Sequence, residues 1–144
     1  MSPRSRIAWG EQAPPAPHIW RTLGYRGLEQ GDGRSVIEWD ATPEYCFSAP
    51  NGPIVHGGMV TTLLDTAMGG ACWSVLDDEE SFLTADLRVE FMRSARPGTL
   101  RAEGRVVQRN RRVAFCSAEL SDAEGTVLAS ARCTQIVRHA SSPS

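Results

Sequence analysis

The chain has 144 residues, a formal net charge of −2, 41% hydrophobic residues and 22% charged residues. That is one globular domain with a single core, too apolar for a disordered chain. The charge excludes an electrostatic nucleic-acid binder, and the apolar runs fall short of the ~20 residues that span a bilayer.

The start, Met1 to Arg6, is basic, but no apolar segment follows to make a signal peptide. Residues 1–17 contain Pro3, Pro14, Pro15 and Pro17 and read as a loose arm, with the domain expected over residues 18–138. A short helix is expected from His18 to Leu23, stopped by Gly24. Two strands follow, Tyr25–Gln30 and Arg34–Asp40, with Gly31-Asp32-Gly33 as a hairpin turn. Ser48 to Pro53 is a loop. Met59 to Leu76 is the strongest helical segment: Val60, Leu63, Leu64, Ala67, Met68, Ala71, Cys72 and Val75 recur at helical spacing. The opposite face carries Thr61, Thr62, Asp65, Thr66, Gly69, Gly70 and Trp73, with no Lys, Arg or Glu, so both faces are expected to be covered. The period then switches to two over Phe82–Ala95, Thr99–Gln108, Arg112–Leu120 and Thr126–Arg138, four strands expected as an antiparallel meander. Residues 139–144 read as a frayed tail. The fold class is α+β, one curled antiparallel sheet wrapped around one long central helix. Such a sheet leaves edges exposed, and edge-to-edge pairing into a symmetric dimer is the expected remedy.

Composition narrows the chemistry. All 15 basic residues are arginines, which excludes Schiff-base lysines and the lysine of a phosphate-binding loop. Cys46, Cys72, Cys116 and Cys133 form no CxxC pair and read as reduced thiols of a cytoplasmic protein. His18, His56 and His139 have no metal-ligand spacing, so no metal site is expected.

One stretch concentrates reactive groups. Asn51-Gly52-Pro53-Ile54-Val55-His56-Gly57-Gly58 leads directly into the long helix, and Asp65 lies nine residues after His56. Glycines at a helix start let a reactant reach free backbone N–H groups, and the positive helix end can stabilise a developing oxyanion. Asp65 is the only carboxylate between Glu44 and Asp77. On a covered helix it is expensive unless it has a task or a partner, and desolvation would raise its pKa toward that of a general base.

His56-Gly57-Gly58 followed by Leu64-Asp65-Thr66-Ala67-Met68-Gly69 resembles the hotdog-fold acyl-CoA thioesterases, most of all their phenylacetyl-CoA (PaaI-like) branch. The resemblance continues through Thr84–Arg93, Arg101–Val106 and Asp122–Gly125 and covers roughly Leu23 to Val137. It implies metal-free, cofactor-free hydrolysis of an acyl-CoA, CoA being part of the substrate. It implies edge-to-edge dimers that often pair again into tetramers, with the active site at the dimer interface. In that frame Gly57 N–H polarises the thioester carbonyl. Asp65 of the partner chain is the nucleophile or the base for water. His56 positions the loop, and Thr84 orients the water. The related pattern carries Asn or Gln six residues before the His. Pro50 stands there, and Asn51, five before, is the candidate for that role.

Gly58, Thr61 and Gly69 are candidate substrate contacts, and the helix face of Thr61, Thr62, Gly69 and Gly70 admits either an aryl-acetyl or a medium-chain acyl group. Arg93, Arg109, Arg111 and Arg112, with Arg96, are candidates for the CoA phosphates. Plainer readings stand beside these. His56 is then a helix-start residue bonded to backbone, Asn51 a turn residue, Thr84 an ordinary strand residue, Trp73 a core aromatic and the arginines a solvated surface. Two other functions also fit the motifs: an enoyl-thioester hydratase using His56 and Asp65 as an acid/base pair, and a non-catalytic acyl-CoA binder.

Overall fold

The computed structural model describes residues 16–140. The expected arm lies outside these residues except for its last two, and Pro17 belongs to the fold: its carbonyl accepts from the N–H groups of Trp20 and Arg21. Helix α1 (His18–Leu23) ends on Gly24 at φ 81°, the left-handed cap that glycine adopts without penalty. Strands β1 (Arg26–Gly31) and β2 (Arg34–Ala41) form the expected hairpin. Asp32 at φ 52° and Gly33 at φ 77° make the turn whose twist matches the flanking strands. A 3-10 turn (Pro43–Tyr45) follows. Then comes a small ribbon of β3 (Cys46–Phe47) and β4 (Ile54–Val55), which hydropathy alone does not reveal because each strand has two residues.

Helix α2 (Gly57–Trp73) begins two residues before the expected start, because His56 caps it, and ends three residues earlier. Strands β5 (Glu80–Phe91), β6 (Gly98–Arg109), β7 (Val113–Ser121) and β8 (Val127–His139) complete a six-stranded antiparallel sheet in the order β1-β2-β6-β7-β8-β5. The four-strand meander expectation is therefore corrected. β6, β7 and β8 do form a meander, but β5 pairs with β8 at the far edge. Both sides of β6 are occupied, by β2 and β7, so residues 92–97 carry the chain across the end of the sheet. The tail expectation is corrected at its start: His139 closes β8, and Ala140 N–H donates to Glu79 carbonyl at 2.8 Å.

α2 lies in the concave face of the sheet. Val60, Leu63, Leu64, Ala67, Met68, Ala71 and Cys72 are all buried, as their spacing requires. Each large one contributes roughly 1.5–3 kcal/mol of transfer free energy. Gly104 on β6 permits this close packing, since a Cβ there would overlap the Ala67 carbonyl. Aromatic edges tie the N-terminal segment to the core. Trp20 meets Tyr25 at 6.5 Å, Tyr25 meets Trp39 at 6.0 Å, and Trp39 meets Tyr45 at 5.1 Å. Burial, and then the neighbouring Tyr45, push the Tyr25 hydroxyl well above its ordinary pKa.

The other face of α2 is half-covered. β5 flanks it on one side and α1 with β1 on the other. A bulge at Ala85 lets β5 do this. Phe82 and Thr84 face the helix before it, and Leu87 and Val89 pack on the core after it, so the inward register changes parity.

Candidate active site

The helix start is built by His56. Its Nδ1 accepts the Gly58 N–H at 2.9 Å, which leaves the ring proton on Nε2. The His56 carbonyl accepts the Met59 N–H at 2.9 Å and the Val60 N–H at 3.2 Å. The His56 N–H donates to the Tyr45 carbonyl at 2.9 Å, so of the four donors that open the helix those of His56, Gly58 and Met59 are taken and, among the described residues, Gly57 N–H remains. Gly57 packs beneath the Phe91 ring, 3.4 Å from where a Cβ would sit, and borders a hollow of about 360 Å³ with Phe47, Val60, Met92 and Arg93. A single free amide at a positive helix end beside an apolar hollow is suited to bind one developing negative charge. The glycine at position 58 has a different reason: a Cβ there would come within 3.0 Å of the capping His56 Nδ1.

Asp65 lies eight residues further along α2 on its half-covered face. Thr84 of β5 stands beside it. The Thr84 hydroxyl has Asp65 Oδ1 at 3.3 Å and Gln135 Oε1 at 2.9 Å, and its one proton serves one of them at a time. Burial raises the proton affinity of Asp65 above the ordinary carboxylate range, and the Thr84 bond offsets part of that. Gln135 is fully buried beneath Thr84 and also donates to Cys133 Sγ at 3.3 Å.

From Asp65 a groove of about 440 Å³ follows the helix toward its C-terminus. Trp20, Trp73 and Phe82 wall it, Gly69 and Gly70 form its floor, and Gln30 lies at its side. The floor is tight at Gly70, where a Cβ would press to 2.6 Å from Ser35 Oγ, whereas one on Gly69 would make ordinary contact with Phe82 at 3.4 Å. Trp73 accordingly lines a ligand-sized space as well as packing against the domain.

The remaining candidates divide by place. Thr61 Oγ1 donates to the Gly57 carbonyl at 2.8 Å, so its hydroxyl is already engaged. Asn51 is exposed, and its carbonyl, like that of Pro53, accepts from Arg96 Nη1. Arg93 and Arg96 stand near the start of α2. Arg111 and Arg112 stand at the opposite end, beside Glu79 and His139. Arg109 is committed elsewhere: its guanidinium pairs with Glu80 and donates to the Val75 carbonyl at 2.5 Å. Burial pushes the Glu80 carboxyl up. The Asp77 backbone N–H, Arg109 and His139 outweigh it and hold Glu80 below its ordinary value. The structure therefore brings Asp65 and Thr84 together, and separately His56, Gly57 and Arg93. It keeps Arg109, Arg111 and Arg112 at the far end of the helix. Gln30, Phe82 and Gln135, which the motif reading passed over, join the site. Among the described residues no group of three or more His, Cys, Asp or Glu could hold a metal ion, and no helix is long and apolar enough to cross a membrane.

Comparison with known proteins accords with this geometry. The family model of the thioesterase superfamily matches residues 52–129, from the loop before α2 into β8. A solved structure from the thioesterase superfamily is 33% identical, with a TM-score of 0.77 over 85% of this chain and 90% of the other. A phenylacetic acid degradation-related protein of Ralstonia eutropha JMP134, described as a candidate thioesterase, is 30% identical. Its TM-score is 0.76 over 85% of this chain and 92% of the other. A candidate esterase of Saccharolobus solfataricus is 26% identical over 116 residues, 81% of this chain and 80% of that one. With its antiparallel sheet curled around α2 and a glycine-rich helix start inside the matched segment, this chain belongs to the thioesterase superfamily and has its hotdog fold, and thioester hydrolysis is the chemistry it carries.

Proposed function

We propose that the protein hydrolyses an acyl-CoA at a site completed by two copies of the chain. The observation that carries this reading is the separation of its two halves. Gly57 N–H and Asp65 are eight residues apart on one helix, about 12 Å along its axis, too far to act on one carbonyl group. Strand β5 supplies the means of joining them. It is a twelve-residue edge strand with no partner on its outer side among the described residues, and Leu83, Phe91 and Met92 on or beside it are more than half exposed. Long apolar edges call for a partner. Antiparallel pairing of two β5 edges sets the Phe91 end of one strand opposite the Thr84 end of the other. Phe91 packs on Gly57 and Thr84 bonds Asp65, so each free amide comes to face the other copy's carboxylate.

In this arrangement the thioester carbonyl oxygen binds Gly57 N–H of one copy. Asp65 of the other takes a proton from the attacking water, which the Thr84 hydroxyl helps orient. The acyl group lies in the groove beside Asp65, and CoA leaves past the start of the facing helix, where Arg93 and Arg96 offer charge to its phosphates. His56 acts through its cap bond, keeping Gly57 and Gly58 in place. That bond occupies Nδ1 and favours hydrolysis over a hydratase using His56 as a base. The test is thiol release from phenylacetyl-, benzoyl- and straight-chain acyl-CoAs by wild type, Asp65→Ala and Asp65→Asn. Wild-type release with a loss of at least about a hundredfold in both variants is expected. Equal turnover by all three would remove Asp65 from the chemistry.

A further inference from the structure

We propose that Gln135 is a positioning residue of the hydrolysis: its Oε1 holds the Thr84 proton, so that the Thr84 hydroxyl accepts from the attacking water and leaves the Asp65 carboxylate free to take a proton from it. The inference rests on Asp65 being the base, as proposed above. Thr84 lies directly opposite Gln135 where β5 pairs with β8. On the other flank of Gln135 stands Ala114 of β7, whose side chain has no polar atom. Gln135 is fully buried. Its Nε2 donates to Cys133 Sγ at 3.3 Å, and its Oε1 has the Thr84 hydroxyl at 2.9 Å. Asp65 Oδ1 competes for the same proton from 3.3 Å.

Two observations decide the competition. A hydroxyl donating to a carboxylate closes to about 2.5–2.7 Å, and 3.3 Å falls outside the range of an ordinary O–H···O bond, whereas 2.9 Å lies within it. The two acceptors also differ in what else can serve them. Asp65 lines the open groove, where water reaches its carboxylate, but Gln135 has no exposed surface. A buried acceptor left without a donor is costly, so the Thr84 proton stays on Gln135 Oε1. The Thr84 oxygen then offers its lone pairs to the groove. A water there donates one hydrogen bond to Thr84 Oγ1 and one to Asp65, and its own lone pair is left to attack the thioester carbon. As the C–O bond forms, Asp65 takes one water proton, and the carbonyl oxygen becomes the oxyanion at Gly57 N–H of the facing copy. Collapse breaks the C–S bond, the sulfur leaves with the electron pair, and Asp65 returns the proton to it. A Thr84 bond to Asp65 would instead stabilise the carboxylate and weaken the base. Among the described residues no other titratable or charged side chain lines the groove: α1 brings Trp20, β1 Gln30, β5 Phe82 and α2 Trp73.

The experiment follows kcat and KM against pH for the best of the acyl-CoAs above, in wild type, Gln135→Met and Thr84→Val. Gln135→Met leaves Asp65 as the acceptor for the Thr84 proton. Its kcat should fall about tenfold with KM unchanged, and the acid limb of kcat/KM should move about one unit to lower pH. A loss of packing alone would lower the melting temperature without moving the acid limb. An unmoved acid limb therefore overturns the role of Gln135 while leaving thioester hydrolysis standing. Thr84→Val, at an exposed strand position, decides the question should Gln135→Met fail to fold. It should lower kcat and leave the acid limb in place, because in the wild type the Thr84 proton is on Gln135. An upward shift of about one unit in Thr84→Val overturns the inference. Undiminished hydrolysis by Asp65→Ala would fell the Asp65 reading and this inference together.

Discussion

Asp65 carries a cost that its proposed role explains. The folded chain binds its proton more tightly than the unfolded chain does, because burial disfavours the carboxylate. The stability gained from that proton is therefore full below the ordinary carboxylate pKa. It is lost as pH rises through the higher folded value, so at neutral pH the ionised group weighs against the fold. Asp65→Asn should be inactive in thiol release yet melt no lower than wild type at pH 7, with any advantage disappearing as the wild-type carboxyl protonates. Thermal melts at pH 4 and pH 7 check this, and a clear drop for the variant at pH 7 would show Asp65 to be a structural partner. For the same reason the acid limb of kcat/KM should lie above the ordinary aspartate range. Asp65 was legible in the sequence as the one carboxylate on a helix face without other charges. Gln30 and Gln135 were not. Each is a polar residue in a strand, and one sequence does not distinguish a glutamine that closes a site from one that caps a core. For Gln135 a signal existed: it falls on the inward register between Cys133 and Val137, both buried.

At the scale of elements, α2 and β5 place the proposed chemistry, and the β6–β7 turn secures the far end of the helix. Arg109 belongs to that second task. It holds Glu80, whose side chain is 5% exposed, and the Val75 carbonyl just after α2. Arg109→Met should cost about 3 kcal/mol, the low end for stranding a buried carboxylate, because the guanidinium itself is partly open to solvent. Arg111→Ala and Arg112→Ala should stay within about 0.5 kcal/mol, as exposed side chains do. Urea unfolding of the three variants tests the ranking; a neutral Arg109→Met with intact folding would contradict it. The sequence shows three arginines within four positions and no means of telling the buried one from its neighbours. The elements themselves were largely legible, because helical and strand periods are strong over twelve or more residues. Their order in the sheet was not. Alternation fixes which face of a strand is buried and says nothing of which neighbour it pairs with. β2 and β7 occupy both sides of β6, and β5 pairs with β8 at the far edge.

For the whole molecule the central claim is that one chain holds two half-sites. The loop-to-helix motif and Asp65 sit on the same element in the sequence, which invites reading them as one site. The 3.6-residue turn and the length of α2 separate them, and in the proposed dimer the β5 edges would reunite them across two copies. The most direct measurement is subunit complementation between Gly57→Pro and Asp65→Ala. Proline is tolerated at the first position of a helix, and His56 at ψ 134° already has the backbone that must precede it, so Gly57→Pro removes the free N–H with little other change. Gly57→Ala, which keeps the N–H and adds the same Cβ beneath Phe91, is its control. Each variant alone should lose about a hundredfold or more in kcat for the preferred acyl-CoA. Co-expressed with different tags and purified through both, the mixed dimer contains one doubly damaged site and one intact site, and it should recover about half of wild-type turnover, the fraction of intact sites in a two-site dimer. A mixed dimer as inactive as its parents would show that Gly57 and Asp65 act within a single chain and would contradict the shared site.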